Sequence, residues 1–136
     1  MAYPTNRASR TPHPPKPRVN LESEEQSTLF TWAFYMTVQI PALRRLFHIP
    51  NGGSRNKAEA AHLKAQGVKK GVPDIFLPRA CGKWHGLFIE LKRTEGGSLS
   101  KDQKEWIDDL NDAGYKAVVC KGWEEAKNVI LEYLNQ

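Results

Sequence analysis

Two acidic side chains and a lysine stand out because they interrupt apolar runs. The stretch GVPDIFLP, residues 71–78, places Asp74 after a proline at the start of a run typical of a buried strand. A buried carboxylate is costly unless it is paired or binds a metal. Sixteen residues later, FIELKR carries Glu90 and Lys92, which strand alternation puts on one side, about 7 Å apart. If the two strands are neighbours, the carboxylates meet.

Such a group of side chains indicates a particular chemistry. Two carboxylates beside a lysine at a sheet edge offer the hard oxygen ligands that Mg²⁺ or Mn²⁺ prefers. A metal held there polarises a phosphate and makes hydroxide available near neutral pH. Lys92 would orient the water or stabilise charge developing on the phosphate. The alternative is a structural role, in which Lys92 forms a buried salt bridge with the two acids.

Composition limits the class of protein. The 136 residues suggest one domain, and the formal charge is +5 with a pI near 9.3, which permits a polyanionic partner. Residues 1–20 are proline-rich and hold four basic residues and no acid, which predicts a disordered basic arm before a folded domain at 21–136.

The cysteines and the apolar runs indicate the compartment. Two cysteines give no disulfide framework, and Cys81 and His85 lack the second pair of ligands that a zinc site needs. No apolar run approaches the roughly 20 residues of a membrane span, and the N-terminus has no signal core. We therefore expect a cytoplasmic protein with no membrane partner.

Apolar periodicity predicts eight elements in the order α-β-α-β-β-α-β-α, an α/β fold with a small mixed β-sheet flanked by helices in three layers. The first helix begins near Ser23 and ends before Pro41. The Ala-rich face of the second helix predicts close packing, with Gly67 at its C-cap. The remaining segments are, in order, RRLFHIP (strand), RNKAEAAHLKAQG (helix), DIFLP and GLFIELK (strands), KDQKEWIDDLNDAG (helix), YKAVVC (strand) and roughly 123–135 (helix).

These segments resemble a known family. GVPDIFLP followed by GLFIELK is similar to the PD-(D/E)xK nuclease signature, and GVKKGVPDIFLP with GSLSKDQKEWIDDLNDAGYKAVVC resembles the VRR-NUC family within that superfamily. The resemblance covers roughly residues 22–134 and is strongest to small stand-alone members from phages and bacteria. It implies a restriction-endonuclease-like core, a metal-dependent DNA nuclease activity and a homodimer similar to Holliday-junction resolvases. A bacterial cell, with a phage-encoded gene as one source, is the expected setting.

The family pattern adds a glutamine after the E-x-K and an acid on the first helix. The glutamine maps onto Gln103, which also fits a capping box with Ser100, and the two roles are compatible. The acid is Glu22, Glu24 or Glu25. Helical geometry favours Glu25, which lies on the inward face. First-turn acids are also favoured by the helix dipole alone.

The resemblance also implies the ligand set. Asp74, Glu90 and the Leu91 carbonyl would ligate the metal, and Glu25 would hold a second metal or a water. Asp74, Glu90, Lys92, Gln103 and Glu25 together form the predicted catalytic set.

DNA contacts are predicted at two places. The stretch HIPNGGSRNK carries Asn51 and Arg55 near a helix start, where a phosphate could bind, although a tight turn explains it equally well. Lys69, Lys70 and Arg93 flank the acids and would add positive field. A lone histidine, such as His48 or His85, is more often a packing or surface residue.

The sequence thus favours a Mg²⁺- or Mn²⁺-dependent, structure-selective DNA endonuclease acting on branched DNA, since no sequence-reading module is visible. One rival is a restriction-type or general DNA nuclease with the same chemistry. The other is a non-catalytic nucleic-acid-binding module, against which the clustered carboxylates argue because they repel phosphate.

Overall fold

The chain alternates helices and strands in the predicted order. A computed structural model describes residues 14–50 and 56–136, and Asn51 and Arg55 therefore lie outside the described residues. A 3-10 helix, Pro41–Arg45, is the one addition to the predicted order. The elements are α1 (Glu22–Met36), the 3-10 helix, β1 (Phe47–His48), α2 (Lys57–Ala65), β2 (Ile75–Leu77), β3 (Leu87–Lys92), α3 (Lys101–Asp112), β4 (Lys116–Lys121) and α4 (Trp123–Leu134).

The four strands form one mixed sheet in the order β1-β2-β3-β4. The β1–β2 and β2–β3 pairs are antiparallel, and β3–β4 is parallel. One end of the sheet therefore holds the start of β2 and the ends of the other three strands. Asp74 precedes β2 and Lys92 ends β3, so both lie at this end, which we call the carboxylate end.

Helices cover the two faces of the sheet. Ile89 and Leu91 belong to an apolar core with buried residues of α1 and α4, among them Leu29 and Ile130. Glu90 and Lys92 point the other way, toward α3, whose Gln103 contacts both. Strand β3 is therefore buried on both faces, and the predicted three-layer arrangement is confirmed.

Local hydrogen bonds and a glycine explain where α3 begins and where α2 ends. The Ser100 hydroxyl accepts a hydrogen bond from the Gln103 amide (3.2 Å), and Gln103 Oε1 accepts one from the Ser100 amide (2.9 Å). Both halves of the predicted capping box are therefore present. Helix α2 ends at Ala65 with Gln66 as its C-cap, so the predicted C-cap Gly67 lies one residue further on. The φ of Gly67 is 98°, which suits glycine, and the Val68 amide donates to the Leu63 carbonyl.

Two expectations about the region before β2 are corrected. The predicted close packing of α2 is wrong: no residue of the helix is buried, and all of its residues except the half-buried Leu63 are exposed. Its alanines bury too little apolar surface to hold the helix against the core. The strand predicted in RRLFHIP is reduced to Phe47–His48, because Arg44 and Arg45 complete the 3-10 helix that Pro41 begins.

Some expected absences can be examined only in the described residues. There, Cys81 and Cys120 are both free thiols, and no helix is long and apolar enough to cross a bilayer. Cys81 pairs with Trp84 across the β2–β3 turn. His85 packs beside Tyr115, with ring centroids 5.6 Å apart.

Candidate metal and catalytic site

The position of the Asp74 side chain is set by the end of the backbone hydrogen bonding between β2 and β3. The Ile49 amide donates to the Asp74 carbonyl (2.6 Å), so the backbone of Asp74 pairs with β1. By alternation Pro73 faces β3, and the Ile75–Ile89 register sets it opposite Leu91. Proline has no N–H, so β2 offers the Leu91 carbonyl no donor. The Leu91 amide donates instead to Asp74 Oδ2 (3.0 Å).

Glu90 is the most deeply buried acid of the site, with 2% of its surface exposed. Its Oε1 accepts a hydrogen bond from Gln103 Nε2 (2.8 Å) and lies 3.4 Å from Lys92 Nζ. Its Oε2 is buried and has no hydrogen-bond donor among the described residues. An ionised carboxylate oxygen without a donor or counter-ion is costly in such a place.

The proton affinities of the two carboxyl groups are linked: burial raises the pKa of both, the charge of Asp74 raises that of Glu90 further, and a hydrogen bond with Glu90 lowers that of Asp74. Burial, followed by the adjacent charge of Asp74, raises the pKa of Glu90 from 4.5 to about 8, and Lys92 opposes this. Burial also raises the pKa of Asp74, and the Leu91 hydrogen bond opposes it. The groups lie within hydrogen-bonding reach of each other, so a proton shared between them would satisfy Oε2 near neutral pH.

The oxygen atoms at the carboxylate end suit a hard divalent cation. Glu90 Oε2 has no donor among the described residues, the Asp74 carboxylate accepts one hydrogen bond, from the Leu91 amide, and the Leu91 carbonyl lies opposite Pro73, which has no N–H. Within residues 14–50 and 56–136, no group of three or more His, Cys, Asp or Glu side chains converges. Two carboxylates with a carbonyl and several waters are nevertheless a common set for Mg²⁺, which keeps much of its hydration. The residues present therefore fit the ion.

Gln103 links the acid to the lysine. Its Nε2 donates to Glu90, while its Oε1 accepts from both Lys92 Nζ (3.2 Å) and the Ser100 amide. Lys92 is only 8% exposed, so its ammonium depends on these partners. The capping box at the start of α3 thus fixes the amide that holds Glu90 and Lys92 in place.

Glu25 is buried on the inward face of α1, as the helical geometry predicts, with 4% of its surface exposed. Its Oε2 accepts a hydrogen bond from the Trp123 amide (2.8 Å) at the start of α4. Gly122, at the N-cap of α4, has no side chain to do this. This hydrogen bond joins α1 to α4, and the role of Glu25 with a metal stays a prediction.

The cations predicted to contact DNA that are described are exposed. Lys70 makes a long ion pair with Asp102 (3.6 Å), and Arg93 donates to the Gly96 carbonyl (3.3 Å). Lys69 is also exposed. Lys69 and Lys70 precede the start of β2, and Arg93 follows the end of β3, so all three are near the carboxylate end of the sheet in sequence.

His48 is a neighbour of the site that sequence reasoning treated as ordinary. Its Nδ1–H donates to the Asp74 carbonyl (2.8 Å), and the charge of His48 lowers the pKa of the Asp74 carboxyl. The only available signal was its place in a short apolar run before a turn. The position of His48 in the sequence does not indicate which strand lies beside it in the sheet.

The mixed sheet, its flanking helices and the acids at one end define a restriction-endonuclease-like α/β protein. A family model of the VRR-NUC domain matches residues 16–124. A solved structure titled VRR_NUC domain protein is 34% identical, with a TM-score of 0.75, and the match covers 87% of this chain and 91% of that one. A search of curated proteins finds no match. The chain belongs to the VRR-NUC family, which is of nuclease type.

Proposed function

We propose that this protein is a Mg²⁺- or Mn²⁺-dependent DNA endonuclease that hydrolyses phosphodiester bonds. One observation carries the proposal: the Asp74 and Glu90 carboxyl groups meet in a buried place, and Glu90 Oε2 has no described donor there. A protein that only bound DNA would gain nothing from carboxylates that repel phosphate.

Each residue of the site would have a distinct role in hydrolysis. Asp74, Glu90 and the Leu91 carbonyl would hold the ion, which supplies charge stabilisation to the scissile phosphate and a more acidic water. Lys92 stabilises the negative charge that develops on the phosphate oxygens. Gln103 keeps the Lys92 ammonium and the Glu90 carboxylate in register, with hydrogen bonds to both. Glu90 would hold the ion as a carboxylate, because the cation would replace the proton as the partner of Oε2.

Branched DNA is the proposed substrate, and a homodimer is the proposed assembly. The resemblance to small stand-alone resolvase-like members supports both. A two-fold dimer would present two sites to two strands of a junction. The proposed setting is a bacterial cell, with a phage-encoded gene as one source.

The test compares wild-type protein with Asp74→Asn on a labelled four-way junction, a linear duplex and a single strand, each with Mg²⁺, Mn²⁺ or EDTA. Asp108→Asn is the matched control, since it removes one exposed carboxylate of α3 that the proposal does not use. Metal-dependent junction cleavage that is lost only in Asp74→Asn supports the proposal. Equal cutting of the linear duplex would replace it by a restriction-type or general nuclease. Tight DNA binding without cleavage in any metal would refute the enzymatic function.

A further inference from the structure

Positive charge is concentrated in one part of the described chain. Between positions 37 and 73 there are six described Lys or Arg residues and one acid, Glu59. Helices α1, α3 and α4 have the opposite balance: three acids and no Lys or Arg in α1, five acids and two lysines in α3, and three acids and one lysine in α4. DNA would therefore be repelled from these three helices and attracted to the segment that precedes β2.

Helix α2 is the most exposed element of that segment. None of its residues is buried, so the core does not explain the helix. Lys57 and Lys64 are seven residues apart, which puts them on one side about 10 Å apart along the axis. Glu59 is rotated about 200° from Lys57 and lies on the opposite side. Neither lysine has a described ion-pair partner within 4 Å.

The chain topology joins this helix to the carboxylate end of the sheet. Strand β1 ends next to Asp74 and β2 begins directly after it, so the residues that lead from α2 into β2 arrive at the carboxylate end of the sheet. Eight residues, 66–73, separate the end of α2 from Asp74, so the helix is joined to the carboxylate end by a short segment.

The residues between α2 and β2 are held firmly. Trp106 Nε1 donates to the Lys70 carbonyl (3.1 Å), and Lys70 Nζ pairs with Asp102. Gly71, with a φ of 91°, lies so close that an added Cβ would be 2.7 Å from the Asp102 backbone. The anchored loop fixes where Lys69 and Lys70 lie relative to Asp74, and it fixes the end from which α2 projects.

We infer that α2 is a DNA-docking helix: Lys57 and Lys64, continued by Lys69, contact the phosphate backbone and guide DNA to the carboxylate end. The inference rests on the proposed function and adds the surface across which the substrate arrives. The acidic outer faces of α3 and α4 stay free of DNA.

The experiment measures DNA binding by fluorescence anisotropy, in EDTA to prevent cleavage, over a series of salt concentrations. The test variant is Lys57→Gln/Lys64→Gln. The control is Lys83→Gln/Lys116→Gln, which removes the same charge at the opposite end of the sheet, where the β2–β3 turn and the start of β4 lie. Circular dichroism and Tm establish that each variant is folded.

The α2 variant should bind at least roughly tenfold more weakly at 0.1 M salt. Its slope of log K against log salt should be shallower by about 1.8, since each lost phosphate contact removes about 0.9. Its cleavage rate at saturating DNA should equal that of wild type, and the control should match wild type throughout. Unchanged binding by the α2 variant, or an equal loss in the control, would overturn the inference. If either occurs while Asp74→Asn still abolishes cleavage, the docking surface is wrong and the nuclease function stands.

Discussion

The substitution Glu90→Gln should stabilise the metal-free protein at alkaline pH. Glutamine keeps the shape of the side chain and an oxygen that can accept from Gln103 and Lys92. It removes the charge that burial and Asp74 disfavour. The protein would thereby lose its proposed metal site and gain stability, as expected where a function requires an unfavourable group.

The magnitude follows from the pKa of Glu90. A carboxyl with a pKa of about 8 when folded and 4.5 when unfolded binds more protons in the folded state between these values. Stability is therefore complete below pH 4.5, falls as the pH rises, and levels off above pH 8. At about 1.4 kcal/mol per pH unit the upper limit is about 5 kcal/mol. We expect about 2 to 3 kcal/mol, because water entering the site stabilises the ionised pair.

The assay is the free energy of unfolding in urea from pH 5 to pH 9, with EDTA present. Wild type should lose stability across this range, while Glu90→Gln should lose less and exceed wild type at pH 9. Adding Mg²⁺ or Mn²⁺ should restore wild-type stability at high pH and leave Glu90→Gln nearly unchanged, since binding to the folded state stabilises it. Glu59→Gln, an exposed change, serves as the control.

Two results would refute this reasoning. If Glu90→Gln were less stable than wild type at pH 9 in EDTA, the Lys92 ion pair would outweigh burial. If wild type and Glu90→Gln changed equally with pH, Glu90 would not be the group that titrates.

Four further substitutions separate roles at single residues. Ser100→Ala should lower the free energy of unfolding by about 1 kcal/mol through the lost cap and leave the cleavage rate unchanged. Gln103→Ala should lose similar stability and at least roughly tenfold in cleavage rate. Equal cleavage rates in the two variants would exclude Gln103 from the site. Glu25→Ala should lower the free energy of unfolding by about 1 to 2 kcal/mol, because the start of α4 loses its acceptor. Cleavage by the folded protein should slow far less than in Asp74→Asn, and a comparable rate loss would support the predicted metal role of Glu25. Gly71→Ala should destabilise by at least about 1 kcal/mol, measured by urea unfolding, because its φ is positive and Asp102 occupies the space.

The residues of the site that depend on local rules could be predicted. Strand alternation is sufficient to put Glu90 and Lys92 on one side of β3, and the spacing from Ser100 to Gln103 is sufficient for a capping box. The hairpin between β2 and β3 then brings Asp74 to the same end. Each of these inferences spans few residues or one turn, so the sequence pattern carries it.

The parts that depend on distant partners could not be predicted. The hydrogen bond of Glu25 to the start of α4 joins positions 98 residues apart, and no periodicity encodes it. The place of His48 beside Asp74 depends on the order of strands in the sheet. The exposure of α2 depends on the absence of an apolar partner surface, which an Ala-rich pattern cannot report.

The Glu25–Trp123 hydrogen bond has a consequence for how the protein folds. An N-cap side chain next to its own helix can form its hydrogen bond as soon as the helix nucleates. The cap of α4 comes from Glu25, so it forms only after α1 has packed against α4. The acceptor and the donor lie 98 residues apart, so α4 gains its cap only when these two distant parts of the domain meet. Closing so long a loop is entropically costly, which makes this contact a late event. Glu25→Ala should therefore speed unfolding while leaving the folding rate nearly unchanged.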